Sequence, residues 1–329
     1  MSRITFGRAI HDALQFEMRR CPEVYLAGED VGFRGGDFGE DMGLWAEFDG
    51  KHGAESRRVV DTAISETAII GHAVGAAACG LRPVVEIMHM DFIGVAMDEI
   101  LNQAGKMRYM NGGKLQVPMV IKTTAGGGVG AAAQHSQMLE AFMAHTPGVK
   151  VVMPSNPADA KGLLISAVRD NNPVVFISHK LLMASKGEVP DGEYIVPIGK
   201  ANVCREGNDV TIVSWSKMVK DAMQAASKLA EEGIDSEVID LRTIKPLDEE
   251  TVLSSVKKTG RLVIVHEATR VCGFGAEVAA VVAEKAFEAL KAPIQRITAP
   301  DCPSPFTPAL EKEYLPNAEK VIAAVKKII

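Results

Sequence analysis

Glu66 is the residue whose position most strongly suggests chemistry. It follows Asp61–Ser65, and a run of small and apolar residues, Ala68 to Leu81, comes after it. A carboxylate that faces such a run loses hydration, which favours its protonated form. Helix-start chemistry is an alternative, because Ser65 can cap a helix and an acidic first turn complements the macrodipole. A capping box needs the acidic residue three positions after the cap, however, and Ser65 is adjacent to Glu66, so spacing alone leaves both explanations open.

A second candidate is His135, which follows the glycine-rich run Gly126–Gly130. Adjacent glycines allow the backbone to approach another group closely. We predict a helix over His135–His145, so that the histidine stands at the opening of that helix and can meet a substrate. A lone histidine can equally be a satisfied polar group, and spacing does not decide between the two.

Other glycine and histidine patterns do not form known sites. The glycines between Gly28 and Gly43 match neither phosphate-loop pattern, and acidic residues among them would repel phosphate, so a mobile loop is predicted. Gly273–Gly275 lacks the third glycine of a dinucleotide fingerprint and is explained by packing at a helix start. His266 and Glu267 are adjacent and cannot share a helix face, so they are predicted to be polar groups at a strand end.

Composition narrows the class of protein. The chain has 329 residues, which predicts two domains, and a net charge of −6, which argues against a nucleic-acid partner. Its five cysteines have no C-x-x-C spacing, which excludes a cysteine zinc site and suits a reducing compartment. The uncharged run Thr67–Leu81 is too short to span a bilayer, and no targeting segment is recognised. We therefore expect a cytoplasmic protein with no membrane partner.

These candidates must be positioned by alternating strands and helices. Continuous apolar runs predict strands covered on both faces, and helical stretches, Met97–Met110 among them, lie between the strands. The pattern stops over residues 186–208, rich in glycine, proline and charge, and then restarts. We predict an α/β fold with two successive three-layer domains, over residues 1–185 and 209–329, joined by a linker. Ligands of open parallel sheets bind beyond the carboxyl ends of the strands, where Glu66 and the glycine-rich run are expected.

A set of motifs in fixed order resembles one family. The chain resembles the β subunit of the thiamine-diphosphate-dependent first component of 2-oxo acid dehydrogenase complexes, over nearly its whole length. Within that family it most resembles acetoin dehydrogenase β chains, on the runs Ala132–Leu139 and His179–Leu182, and pyruvate dehydrogenase and branched-chain β chains share most of the other motifs. The shared motifs are Asp61–Glu66, Gly80–Glu86, Leu101–Ala104, Ala133–Gln137, Pro147–Val152, Pro154–Leu164, Arg169–Pro173 and Asp240–Asp248.

The resemblance implies a transketolase-like pyrimidine-binding domain followed by a transketolase C-terminal domain. It also implies an assembly of two α and two β chains, in which the α subunit carries the Gly-Asp-Gly motif that holds Mg²⁺ and the diphosphate. That motif does not occur in this chain. The lipoyl domain and the subunit-binding domain of the acyltransferase core are the further partners implied. The C-terminal helix ending at Ile329 resembles the region that docks the core, with a solvated helix end or a tetramer contact as alternatives.

Residue roles follow from the same resemblance. Glu66 is implied to hydrogen-bond the pyrimidine nitrogen N1′ and favour the imino tautomer, which takes the C2 proton of the thiazolium. Phe92 is implied to stack on the pyrimidine, and Ile64 to line it, although a phenylalanine after a strand can also be a core residue. His135 is implied to act near the substrate and the incoming lipoyl group. Met90 departs from the family, whose members often carry an aromatic residue there, which leaves substrate selectivity open.

A structural potassium ion is implied at one loop, held by oxygens of Ala167, Val168, Asp170 and Asn172. The expected function is cleavage of acetoin, or decarboxylation of a 2-oxo acid such as pyruvate, with acyl transfer to lipoamide. The alternatives are a branched-chain 2-oxo acid dehydrogenase β subunit, a stand-alone transketolase-like enzyme, and a non-catalytic scaffold or electron-transfer subunit.

Overall fold

The computed structural model describes residues 1–48 and 57–329. They form two compact units. The first unit comprises Met1–Ala125 and Phe142–Ile198, and the second comprises Gly126–Ala141 and Gly199–Ile329. The second unit therefore takes in a short segment from the middle of the chain, which includes the glycine-rich run and His135.

The first unit is built on a parallel sheet. Six of its strands lie in the order β6-β7-β5-β4-β2-β3, and β1 pairs with β8 in an antiparallel ribbon. The strands are β1 (Ser2–Thr5), β2 (Val24–Gly28), β3 (Val59–Asp61), β4 (Arg82–His89), β5 (Val120–Ala125), β6 (Lys150–Val152), β7 (Val174–His179) and β8 (Lys186–Val189). The helices are α1 (Phe6–Arg20), α2 (Leu44–Phe48), α3 (Glu66–Ala78), α4 (Met107–Met110) and α6 (Pro157–Arg169), and α5 (Glu140–Ala144) begins in the second unit and ends in the first.

Helices α1 and α6 pack together over this sheet. The Thr5 side chain caps α1, and the Asn156 side chain caps α6 by accepting the Asp159 N–H at 2.9 Å. The buried face of α1 repeats every four residues, and it joins one core cluster with strand residues that include Leu26 and Phe176. The sheet is therefore a rigid support for the loops at its carboxyl edge.

The second unit repeats the architecture with fewer strands. Its five-stranded sheet has the order β14-β13-β10-β11-β9, parallel except for the edge pair β11-β9. The strands of the second unit are β9 (Asn202–Arg205), β10 (Val210–Ser214), β11 (Ser236–Asp240), β12 (Thr243–Lys245), β13 (Leu262–Thr269) and β14 (Gln295–Ala299). Its helices are α7 (Met218–Glu231), α8 (Glu249–Thr259), α9 (Gly275–Lys285), α10 (Pro308–Tyr314) and α11 (Ala318–Val325). The predicted α/β class, with helices covering parallel sheets, is confirmed.

Local structure differs from prediction in three places. The helix predicted over His135–His145 is wrong in its first half, because only Glu140–Ala144 is helical and Ala132 adopts a positive φ of 60° just before it. The helix predicted over Met97–Met110 is broken by a π-helical turn, Glu99–Ala104. Residues 186–208, expected to lack a core strand, contain β8 and β9, which are short edge strands and give little apolar signal. Within the described part of the chain, no helix has the length and apolarity needed to cross a membrane.

Candidate active site

Glu66 is the first residue of α3, beyond the carboxyl end of β3. Its side chain is buried, with 8% of the residue exposed. Ser65 is the N-cap residue, but its side chain makes no capping hydrogen bond. The helix-start explanation therefore accounts for where Glu66 lies along the helix, and it leaves the buried carboxyl available for another partner.

The turn before Glu66 is fixed by the backbone. The Thr62 N–H donates to the Gly28 carbonyl at 2.9 Å. The Asp61 carboxylate accepts the Gly32 N–H at 2.6 Å and the Phe33 N–H at 3.2 Å, which joins the loop after β2 to the loop after β3. Asp61 is thus an anchor for this edge of the sheet rather than a free acid.

Ile64 and Phe92 lie at the same carboxyl edge of the first unit. Ile64 is 82% exposed in the turn before α3. Phe92 is half-buried in a 3-10 segment, Met90–Ala96, that directly follows β4. The Thr67 hydroxyl donates to the Val95 carbonyl at 2.8 Å, which ties α3 to that segment. The fold therefore brings a buried carboxyl, an exposed aliphatic side chain and an aromatic ring to neighbouring turns.

A second acidic residue lies near Glu66. Glu29 follows β2, and its pKa is raised by burial and then by the charges of Glu66 and Asp30. Two carboxyl groups close together on one sheet edge favour sharing of a proton.

His135 belongs to the other unit of the chain. It lies half-buried in the loop between the glycine-rich run and α5, and its N–H donates to the Ala132 carbonyl at 3.4 Å. Two carboxylates far along the chain, on Glu267 and Glu311, accept hydrogen bonds from the amides of the glycine run. Glu267 is inside β13 rather than at a strand end, and sequence analysis gave neither residue a role.

A buried charge cluster in the first unit was also missed. The Lys122 ammonium lies 3.2 Å from Glu40 Oε1, 2.9 Å from Asp41 Oδ2 and 2.5 Å from Glu86 Oε2. Burial raises the pKa of Glu86 and of Asp41, while the Lys122 charge opposes both shifts. Three carboxylates around one ammonium leave excess negative charge in the interior, so the cluster retains a proton. The available signal was a charged residue in the interior of a predicted buried strand, namely Glu86 in β4 and Lys122 in β5.

The second unit holds a buried group of a different kind. The Trp215 indole stacks on the His266 ring at 5.0 Å between centroids, and its N–H donates to Glu140 Oε1 at 3.3 Å. Burial lowers the pKa of His266 to about 3 and raises that of Glu140 to about 7. Both groups are therefore neutral between about pH 3 and about pH 7. A Cβ on Gly275 would lie 2.6 Å from the His266 ring, which explains that glycine by packing.

Three cationic side chains contact the loop that is predicted to bind potassium. Arg82 Nη1 donates to the Val168 carbonyl at 2.9 Å and to the Asp170 carbonyl at 3.1 Å. Arg108 donates to Asn172 Oδ1 at 2.6 Å, and Lys150 pairs with the Asp170 carboxylate. Each carbonyl oxygen has two lone pairs, so those of Val168 and Asp170 retain one each. The ligand atoms are of the kind a potassium ion uses, and three side chains already hold them in place.

Comparison with known proteins defines the class. The sequence model of the transketolase pyrimidine binding domain matches residues 2–186, and that of the transketolase C-terminal domain matches residues 199–321. Among solved structures, a chain described as a split gene transketolase, inactive beta4 tetramer, superposes with a TM-score of 0.79 at 26% identity, over 99% of this chain and 98% of that one. The fold is that of the thiamine-dependent transketolases.

Two related proteins define the family within this class. The beta subunit of acetoin:2,6-dichlorophenolindophenol oxidoreductase from Cupriavidus necator is 49% identical over 99% of this chain and 97% of its own length. The beta subunit of the pyruvate dehydrogenase E1 component from Staphylococcus epidermidis is 46% identical over 99% of this chain and 98% of its own. The chain belongs to this family of dehydrogenase β subunits, as its motifs predicted.

Proposed function

We propose that the chain is the β subunit of a cytoplasmic, thiamine-diphosphate-dependent dehydrogenase. With an α subunit it cleaves acetoin or decarboxylates a 2-oxo acid such as pyruvate, and it passes the acyl group to lipoamide on an acyltransferase core. The observation that carries the proposal is a buried carboxyl, Glu66, at the first turn of α3 beside turns that present Ile64 and Phe92. The family supports the reaction type, and the acetoin enzyme supports the substrate.

These residues fit an aminopyrimidine ring. A buried carboxyl can hold a proton against a ring nitrogen, an aromatic side chain can stack on the ring, and the exposed Ile64 can cover its edge. Thiamine diphosphate, when bound, supplies the electron sink for the chemistry. Glu66 holds and returns the proton at N1′, and burial and then the Glu66 charge raise the pKa of the neighbouring Glu29.

The chain's own residues do not fit the diphosphate and its Mg²⁺. Among residues 1–48 and 57–329, Glu40, Asp41 and Glu86 are the acidic group that could hold a metal. The Lys122 ammonium lies among them and occupies the space between them, whereas Mg²⁺ needs open positions for water and phosphate. The α subunit is therefore proposed to hold both groups. The solved split-gene transketolase chain, described as an inactive beta4 tetramer, supports the need for a second chain.

His135 is proposed to orient the substrate or to move a proton during acyl transfer to lipoamide. A half-buried imidazole can do either, because its ring nitrogens can donate and accept hydrogen bonds. A potassium ion is proposed at the loop of Ala167–Asn172. Its support is the set of backbone oxygens of Val168 and Asp170, and it contributes to stability rather than to a catalytic step.

The decisive test is Glu66→Gln in the assembly with the α subunit. The amide keeps the size of the side chain but cannot relay a proton, so exchange of the cofactor C2 proton should fall by about 100-fold or more. The matched control is Glu250→Gln, also in the first turn of a helix but with a side chain 85% exposed, which should leave exchange unchanged. Exchange in Glu66→Gln at the wild-type rate would contradict the proposal.

The same preparation separates the substrates and the alternatives. Acetoin, pyruvate and 3-methyl-2-oxobutanoate are compared by acyl transfer to a lipoyl domain. Preference for 3-methyl-2-oxobutanoate would indicate a branched-chain subunit. Turnover by this chain without an α subunit would indicate a stand-alone transketolase-like enzyme. Full activity of both Glu66→Gln and His135→Ala would indicate a scaffold.

A further inference from the structure

The segment that leads to His135 has almost no side chains that could hold it in place by packing. Gly126, Gly128 and Gly130 adopt positive φ values of 91°, 94° and 69°. Val129 is the one larger side chain between Gly126 and Ala133, and it is 50% exposed. Glycine-rich backbone loses more conformational freedom on ordering than any other, so packing alone does not hold this stretch in one conformation.

Two buried carboxylates hold the segment by its amides. The Gly127 N–H donates to Glu267 Oε1 at 2.6 Å. Both oxygens of Glu311 are used, Oε1 by the Gly128 N–H at 2.8 Å and Oε2 by the Gly130 N–H at 3.1 Å. A carboxylate that accepts backbone amides makes hydrogen bonds stronger than those between neutral groups. We call this arrangement, Glu267 and Glu311 with Gly126–Gly130, the carboxylate clamp.

Glu311 is stabilised by the clamp and not by an ion pair. That residue lies in α10 and is 4% exposed, and within the described chain no lysine, arginine or histidine pairs with it. A buried charge is costly unless hydrogen bonds compensate for lost hydration, and here the glycine amides supply them. The space is also tight, because a Cβ on Gly127 would lie 3.3 Å from Glu311 Oε1 and the carboxylate would have to shift by a few tenths of an ångström.

We propose that Glu311 and Glu267 are positioning residues that fix the loop carrying His135 for acyl transfer. This inference rests on the proposed function of His135. The clamp, the glycine segment and His135 all belong to the second unit, so the clamp sets the position of the histidine within that unit. Glu311 acts on His135 through the backbone amides of Gly128 and Gly130.

The substitution Glu311→Gln tests the clamp with the smallest change. A glutamine has one oxygen acceptor, so one glycine amide would face the amide NH₂, where donor meets donor. Glu313→Gln is the matched control, because Glu313 is exposed on the same helix. In the assembly of α and β chains, hydrogen exchange of the peptide over residues 126–139 should become faster in Glu311→Gln and stay unchanged in Glu313→Gln.

Kinetics then separate positioning from a general loss of structure. We expect Glu311→Gln to reduce kcat for lipoyl-domain acylation by about 10- to 100-fold, the range for a lost hydrogen bond to a charged group. Exchange of the cofactor C2 proton, which depends on Glu66, should remain at the wild-type rate. In a His135→Ala background, Glu311→Gln should cause no further loss, since both changes remove the same function.

The outcomes are distinct. Wild-type acylation by Glu311→Gln, or full additivity with His135→Ala, overturns the clamp proposal and leaves the proposed function intact. Normal C2 exchange in Glu66→Gln overturns the proposed function itself. Loss of C2 exchange in Glu311→Gln together with faster hydrogen exchange throughout the chain also overturns positioning, because it indicates global destabilisation.

Discussion

Replacement of the buried Glu140 by glutamine should change how stability depends on pH. Burial raises the pKa of Glu140 from 4.5 to about 7, with the nearby Glu267 charge adding to the shift, and the Trp215 N–H opposing it. The folded state therefore holds a proton that the unfolded state releases between these pH values. This contribution to stability is present below pH 4.5 and is lost as pH rises through about 7.

The magnitude follows from the two pKa values. A difference of about 2.5 corresponds to about 3 kcal/mol, at about 1.4 kcal/mol for each pH unit. In Glu140→Gln the amide still accepts the Trp215 N–H but does not titrate. From pH 4.5 to pH 8, the free energy of unfolding of the variant should rise by about 3 kcal/mol relative to that of the wild type, measured by urea unfolding.

Tryptophan fluorescence gives a direct reading of the same group. The chain has two tryptophans, so Trp45→Phe leaves the Trp215 indole as the reporter. Its emission should titrate near pH 7, and the titration should vanish when Glu140→Gln is added. His266, stacked on the same indole, does not interfere because burial lowers its pKa to about 3. A midpoint near 4.5, or an unchanged titration in the glutamine variant, would refute the reasoning.

Two further predictions concern ions in the first unit. Lys122→Met leaves three carboxylates buried without their ammonium and should lower the free energy of unfolding by about 3–5 kcal/mol. The control Lys257→Met, at an exposed position, should change the free energy of unfolding little. Equal effects of the two substitutions, measured by urea unfolding, would contradict the role of the cluster. Replacement of KCl by choline chloride at equal ionic strength should lower Tm by roughly 5 °C if potassium binds the Ala167–Asn172 loop with a Kd about one hundredth of the salt concentration. An identical Tm in the two salts would rule out that site.

Much of the fold could be predicted because its signal is local. Strands buried on both faces read as continuous apolar runs, as in Val174–His179, and the helix after Asn156 carries its cap and Pro157 in sequence. The position of Glu66 could be predicted for the same reason, because the apolar run that follows it is contiguous. The helix predicted from His135 begins only at Glu140, and the glycine segment before it is held by carboxylates distant in sequence, which no local pattern records.

The sequence by itself determined the alternation of strands and helices, the family, and the acid expected to meet the cofactor, since each is encoded by neighbouring residues. Only the tertiary structure decided which buried polar groups meet. Glu311 reaches Gly128 across 183 positions of sequence, and Lys122 reaches Glu40 across 82. Partners at such separations are chosen by strand order and helix packing, and no local period of the chain records them.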